Sequence, residues 1–199
     1  MAKPTVMLYP GAGSGRDHSS LVAIEQRLGR SAAVERIDFP YRREGRRAPD
    51  RAPKLLRSIR DDLAGFGRRR GSIVMGGRSM GGRMASMVAA DVDGAGAVAR
   101  LAGLVLICYP LHPPAEPDKL RVEHLADISV PCLFISGTRD PFGSPDELMR
   151  WTSEIAAPVE HVWIEGGRHD LGGADSTIAD AVAGFTALHG VGSDMTPMR

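Results

Sequence analysis

Short runs of apolar and β-branched residues alternate along this chain with longer segments whose apolar residues recur every three or four positions. That alternation restricts the chain to few architectures, chiefly a doubly wound, mainly parallel α/β sheet with helices on both faces. Strands are predicted at Thr5–Tyr9, Val34–Phe39, Ser72–Gly76, Gly103–Cys108, Cys132–Ser136 and Glu160–Ile164. Helices are predicted at His18–Leu28, Pro53–Gly65, Met80–Asp91, Pro145–Ile155 and Ser176–Leu188, with Leu21, Ile24 and Leu28 as one clear apolar stripe. Pro53 suits a first helical turn, and Ser144 with Glu147 offers a capping box ahead of Leu148. The prolines of YPLHPPAEP, from Tyr109 to Pro117, make that stretch a loop, and the last ten residues, GVGSDMTPMR, lack periodicity and are expected to fray.

At 199 residues the chain fits one domain, and 43% hydrophobic with 25% charged residues matches a globular protein with a real core. A formal net charge of +1 gives no global field to gather a polyanion, so nucleic acid is not expected as a partner. Five arginines crowd the stretch Arg42 to Arg51. A solvated loop face is the simpler reading; the alternative is a contact to an anionic substrate through Arg43 and Arg47. Cys108 and Cys132 sit in apolar runs without metal or disulfide spacing and read as buried, reduced thiols. The N-terminal MAKPTVMLYP is too short in apolar residues for a signal peptide, and no run approaches a membrane span, so a cytosolic protein with no membrane partner is expected.

In an open parallel sheet, ligands bind at the carboxyl ends of the strands, which directs attention to four loops. After the third strand, Gly76-Gly77-Arg78-Ser79-Met80-Gly81-Gly82 contains G-x-S-x-G between strand and helix. Side chains at Gly77 or Gly81 would collide with the flanking elements, and the tight turn exposes the Ser79 hydroxyl at a helix N-terminus, with the Met80 N–H free for an oxyanion. Asp140 follows the fifth strand and His169 the sixth, giving the chain order Ser, Asp, His of a nucleophile, its acid and its base. The loop Pro10-Gly11-Ala12-Gly13-Ser14-Gly15 follows the first strand and offers the Ala12 N–H as a second oxyanion donor, with Gly11 close to substrate.

Other residues compete for these roles on weaker grounds. His18 and His112 lie near strand ends, where each reads either as a pocket-lining residue or, more simply, as a polar loop residue; His161 reads as a core or sheet-face residue, and His189 ends the last helix. Asp38 is a candidate replacement acid, whereas Asp170 is too close in sequence to His169 to reach its ring.

The motifs resemble the α/β-hydrolase superfamily, and more narrowly the small bacterial dienelactone-hydrolase-like proteins. The resemblance spans Val6 to Leu188 and rests on PGAGSG at 10–15, FPY at 39–41, GGRSMGGRMAS at 76–86, YPLHPP at 109–114, GTRDPFG at 137–143 and GGRHD at 166–170. It implies an α/β-hydrolase fold with Ser79 as nucleophile, Asp140 as acid, His169 as base, and the Ala12 and Met80 amides as oxyanion hole. Pro10 departs from the histidine that many relatives carry there.

The chemistry so implied is ester, lactone or thioester hydrolysis on a small-molecule substrate, through an acyl-enzyme and with neither metal nor organic cofactor. About twenty residues separate the fourth and fifth strands, too few for the cap that many relatives insert, so an open site and small or accessible esters are expected. A nucleotide-binding loop is the first competitor, but Arg83-Met84 stands where a P-loop needs Lys-Ser or Lys-Thr, and Arg16 where a dinucleotide fingerprint needs glycine. A catalytically silent binding or scaffold module on the same fold is the second. Homo-oligomerisation is compatible with the sequence, which marks no interface for it.

Overall fold

The computed structural model describes residues 2–66 and 71–190. The tail expected to fray lies outside the described residues beyond Gly190. Six strands, β1 (Thr5–Tyr9), β2 (Ala33–Arg36), β3 (Ile73–Arg78), β4 (Leu101–Ile107), β5 (Cys132–Gly137) and β6 (Val159–Ile164), form one all-parallel sheet in the order β2-β1-β3-β4-β5-β6. Around it lie α1 (Ser19–Leu28), α2 (Pro40–Arg43), α3 (Ala52–Phe66), α4 (Met80–Ala89), α5 (Pro145–Thr152) and α6 (Asp175–His189).

The strand order explains the two layers. Right-handed crossovers place a helix on one face when the chain steps one way along the sheet and on the other face when it steps back. The single step from β1 out to β2 carries α1, and the return to β3 and onward carries α3, α4 and α5. One core accordingly joins Met7, Met75, Leu104 and Phe134 to Leu55, Ile59, Met84, Val88 and Leu148. The other joins Val6, Leu8, Val74, Val105 and Ile135 to Leu21, Ile24 and Leu28 of α1 and Ile178, Val182 and Phe185 of α6. Because both faces are covered, β1 and β3 are buried at every position, as their near-continuous apolar sequences require, while the edge strands β2 and β6 are only partly buried.

The sequence-based strand Val34–Phe39 ends three residues early, at Arg36. Ile37 still donates to Leu8 O at 2.9 Å, but Pro40 then starts the one-turn helix α2, which periodicity over four residues does not reveal. Pro53 sits in the first turn of α3. The capping box at α5 is complete: Glu147 N–H donates to Ser144 Oγ, and Ser144 N–H donates back to Glu147 Oε2 at 2.9 Å. Residues 108–131 contain no helix beyond the 3-10 turn Leu125–Asp127, so this connection builds no helical cap over the carboxyl edge of the sheet. Both cysteines are buried and unpaired. Among the described residues no helix is long and apolar enough to cross a membrane.

Candidate active site

The switch in strand order between β1 and β3 opens a crevice at their carboxyl ends, and Ser79 stands there between β3 and α4. Its backbone is held at φ 46°, ψ −117°, a conformation that side chains rarely adopt and that is stored at functional turns at a cost of about 1–3 kcal/mol. Close packing enforces the turn: a Cβ on Gly77 would lie 2.0 Å from Tyr9 O, and one on Gly81 2.3 Å from the same oxygen. The serine is the N-cap of α4, a position from which its hydroxyl ordinarily accepts from the first helical turn. It makes no such bond; instead Ser79 Oγ lies 2.9 Å from His169 Nε2.

His169 and Asp140 come from adjacent loops tied to each other. Arg139 N–H donates to Gly167 O at 2.9 Å and Thr138 N–H to Ile164 O at 3.0 Å, and the close approach leaves no room for a side chain at Gly137. The Asp140 side chain is 2% exposed, lies 2.8 Å through Oδ2 from His169 Nδ1, and accepts from Phe142 N–H at 2.9 Å. With Asp140 ionised, Nδ1 carries the ring proton and Nε2 is left as acceptor toward the serine hydroxyl. The Phe142 ring stacks on the imidazole, 4.0 Å between centroids, fixing its plane.

Cys108 sits beside this pair, its sulfur and the ligand atoms of Asp140 and His169 all within 4.8 Å of one another. Burial pushes its thiol up to about 12, so it stays protonated, and both His169 nitrogens are already engaged; the trio is poorly suited to a metal.

The residues assigned to the oxyanion hole lie at the same crevice. Met80 is the first residue of α4, whose N–H has no intrahelical acceptor. Gly11 O accepts from Ser14 N–H at 3.2 Å, which turns the Ala12 N–H to the opposite edge of that peptide plane. Tyr41 Oη donates to Ala12 O at 3.0 Å, so α2 supports the loop that follows Pro10.

A cleft of about 610 Å³ gathers Gly11, Ala12, Ser79, Met80, His18 and His169, within the range of small-molecule sites. Asp140 lies behind His169, out of the cleft wall. Arg43 and His112 are not among the lining residues: His112 is buried with Nδ1 3.0 Å from Pro113 O and Nε2 3.4 Å from Glu147. Asp38 is not among the lining residues either, and accepts from Arg16 N–H at 2.7 Å. Within the arginine-rich run, Arg46 is neutralised locally by Glu44 and Asp50. Sequence reasoning gave no role to Arg78, Arg83 and Arg121, which do line the cleft. Arg83, four residues beyond Ser79 on a helix, was findable from spacing; Arg121 lies in irregular chain and was not.

Residues 2–182 match the family described as an alpha/beta hydrolase domain. The chain belongs to this alpha/beta hydrolase family. Solved structures similar to this alpha/beta hydrolase include Est1E from Butyrivibrio proteoclasticus, with TM-score 0.75 and 14% identity over 94% of this chain and 88% of that one. A dienelactone hydrolase from Anabaena variabilis gives 0.73 and 17% over 94% and 87%. The RedJ thioesterase of the prodiginine pathway in Streptomyces coelicolor gives 0.69 and 17% over 92% and 85%. At these identities the likeness is one of fold.

Proposed function

We propose that the protein is a serine hydrolase that cleaves small or solvent-accessible carboxylic esters, lactones or thioesters through Ser79, His169 and Asp140. The observation that carries this reading is the unbroken relay from Ser79 Oγ to His169 Nε2, 2.9 Å, and from His169 Nδ1 to Asp140 Oδ2, 2.8 Å. Family membership supports a hydrolase, and similar structures bear the names of a dienelactone hydrolase and a thioesterase.

His169 Nε2 takes the hydroxyl proton as Ser79 Oγ attacks the carbonyl carbon, and the resulting imidazolium is stabilised by Asp140, which keeps its negative charge. The Met80 and Ala12 amides receive the oxyanion, in a cleft where their dipoles are already oriented. Collapse expels the alcohol or thiol with the proton from Nε2. A water activated by the same nitrogen then attacks the acyl-enzyme, releases the acid and restores Ser79.

Two kinetic results test the reading. Hydrolysis of p-nitrophenyl acetate is expected to fall by about 10⁴ or more in Ser79→Ala. Because residues 108–131 build no helical cap, p-nitrophenyl acetate and butyrate are expected to exceed the palmitate in kcat/KM. Preference for the palmitate would overturn the substrate size, and undiminished turnover by Ser79→Ala would overturn the nucleophile.

A further inference from the structure

Cationic charge lines the cleft beside Ser79 without matching anions. Arg78, Arg83 and Arg121 face it against one lining carboxylate, Asp170. Arg78 is employed on the backbone carbonyls of His169 and Asp170, although its Nη1 is buried without a partner. Arg83 and Arg121 have no such employment: among the described residues neither makes an ion pair or a side-chain hydrogen bond, and Arg83 Nε is buried without an acceptor.

The surroundings compensate little: Glu116 favours the charged form of Arg121, but its ion pair, at 3.0 Å, is with Lys119. Beneath them His124 is held by Ser86 Oγ at 2.8 Å, with Tyr109 Oη 3.4 Å from the same nitrogen. Tyr109 Oη in turn donates to Arg121 O at 2.9 Å, which fixes the backbone that carries Arg121. Burial, and then Arg83, lower His124 to about 4, so this histidine is neutral. Burial together with the neighbouring Arg83 also lowers Arg121 from its ordinary value. Two half-buried like charges on a fixed polar base, one with an orphaned donor, are unfavourable until an anion arrives.

We propose that Arg83 and Arg121 form a subsite for an anionic group, a carboxylate or a phosphate, on the substrate attacked by Ser79. This rests on the hydrolase reading above. Guanidinium forks suit both headgroups, since each offers two coplanar acceptors. Arg83 stands one turn beyond Ser79 on α4, about 6 Å along the helix axis, so the anion lies several atoms from the scissile carbonyl rather than on it. The substrate class is therefore an ester or thioester carrying a remote acid, and the charge both steers and orients it.

The test compares three p-nitrophenyl esters of matched length: the neutral hexanoate, the adipate monoester, and the ester of 5-phosphonopentanoic acid. In the wild type, kcat/KM for at least one acidic ester is expected to exceed that for hexanoate by about tenfold, as a charge-assisted hydrogen bond allows. The ratio should fall by about tenfold in Arg83→Gln and in Arg121→Gln, and hold in Arg27→Gln, which alters a surface ion pair on α1. Which acid is preferred identifies the headgroup. A wild-type ratio near unity, or one that both cleft variants leave intact, overturns the subsite while leaving the hydrolase reading in place. Calorimetry on Ser79→Ala with monomethyl adipate and methyl hexanoate separates the two claims. If no ester is hydrolysed but the acid binds and Arg83→Gln abolishes binding, the subsite stands and the hydrolase reading fails.

Discussion

Arg78 donates from Nη2 to the His169 carbonyl at 2.9 Å and to the Asp170 carbonyl at 3.2 Å, fastening the residue before the serine to the loop that carries the imidazole. Arg78 is 5% exposed, and both bonds are part-buried at the cleft wall. Its side chain thereby sets the distance across which Ser79 and His169 must meet.

Arg78→Met keeps much of the side-chain volume and removes both bonds. Two part-buried carbonyls lose a charged donor, and stability is expected to drop by about 1–3 kcal/mol. The kcat should fall more than KM rises, because the imidazole is no longer held against the serine. Urea denaturation and steady-state kinetics with p-nitrophenyl acetate check this, and Arg78→Lys, which lacks the planar fork, should recover stability better than kcat.

The turn at Ser79 makes a sharper prediction about packing. Gly81→Ala puts a methyl 2.3 Å from Tyr9 O, against backbone that cannot retreat, whereas Gly13→Ala meets nothing within 4 Å. Gly81→Ala is expected to leave little soluble folded protein, and Gly13→Ala to shift Tm by only a few degrees. Circular dichroism melts of the two side by side decide it.

Tyr41→Phe removes the hydroxyl that holds Ala12 O and nothing else. The loop that carries the Ala12 N–H then loses its tether to α2. Loss of this one hydrogen bond should lower stability by about 1 kcal/mol and kcat by about tenfold, with KM little changed, if the Ala12 amide serves the oxyanion. Unchanged kcat would remove Ala12 from that role.

Acid should destabilise the protein partly through His124. Its folded value of about 4 lies below the ordinary 6.5, so between these values the unfolded chain takes up a proton that the folded chain refuses. Stability is then full above about pH 6.5, falls as the pH drops toward 4, and receives no further loss from this group below that. Burial lowers His18 and His161 in the same direction. His124→Gln should flatten the decline of Tm between pH 6.5 and 4 relative to wild type, even if it starts lower.

Much of this architecture is legible from residue order because the signals are local. The strand and helix periods along Thr5–Tyr9 or Leu21, Ile24 and Leu28 are repeated by the burial of those residues. The meeting of Ser79, Asp140 and His169 follows from three loops falling at one end of a parallel sheet. What escaped is nonlocal or too short to be periodic. The helix α2 is a single turn, and its Tyr41 acts on a loop 29 residues away. The crowd of arginines from Arg42 to Arg51 attracted notice by density alone, yet Arg46 is spent on Glu44 and Asp50. Arg78, Arg83 and Arg121, outside that crowd, are the arginines that line the cleft.

The central claim, that Ser79 is a nucleophile activated by His169, is tested most directly by a fluorophosphonate probe followed by mass-spectrometric mapping of the labelled peptide. Rapid labelling at Ser79 in the wild type, lost in Ser79→Ala and slowed by about a thousandfold or more in His169→Ala, is the result expected of an activated serine. Folded wild-type protein that takes no label, or takes it at another residue, would contradict the account.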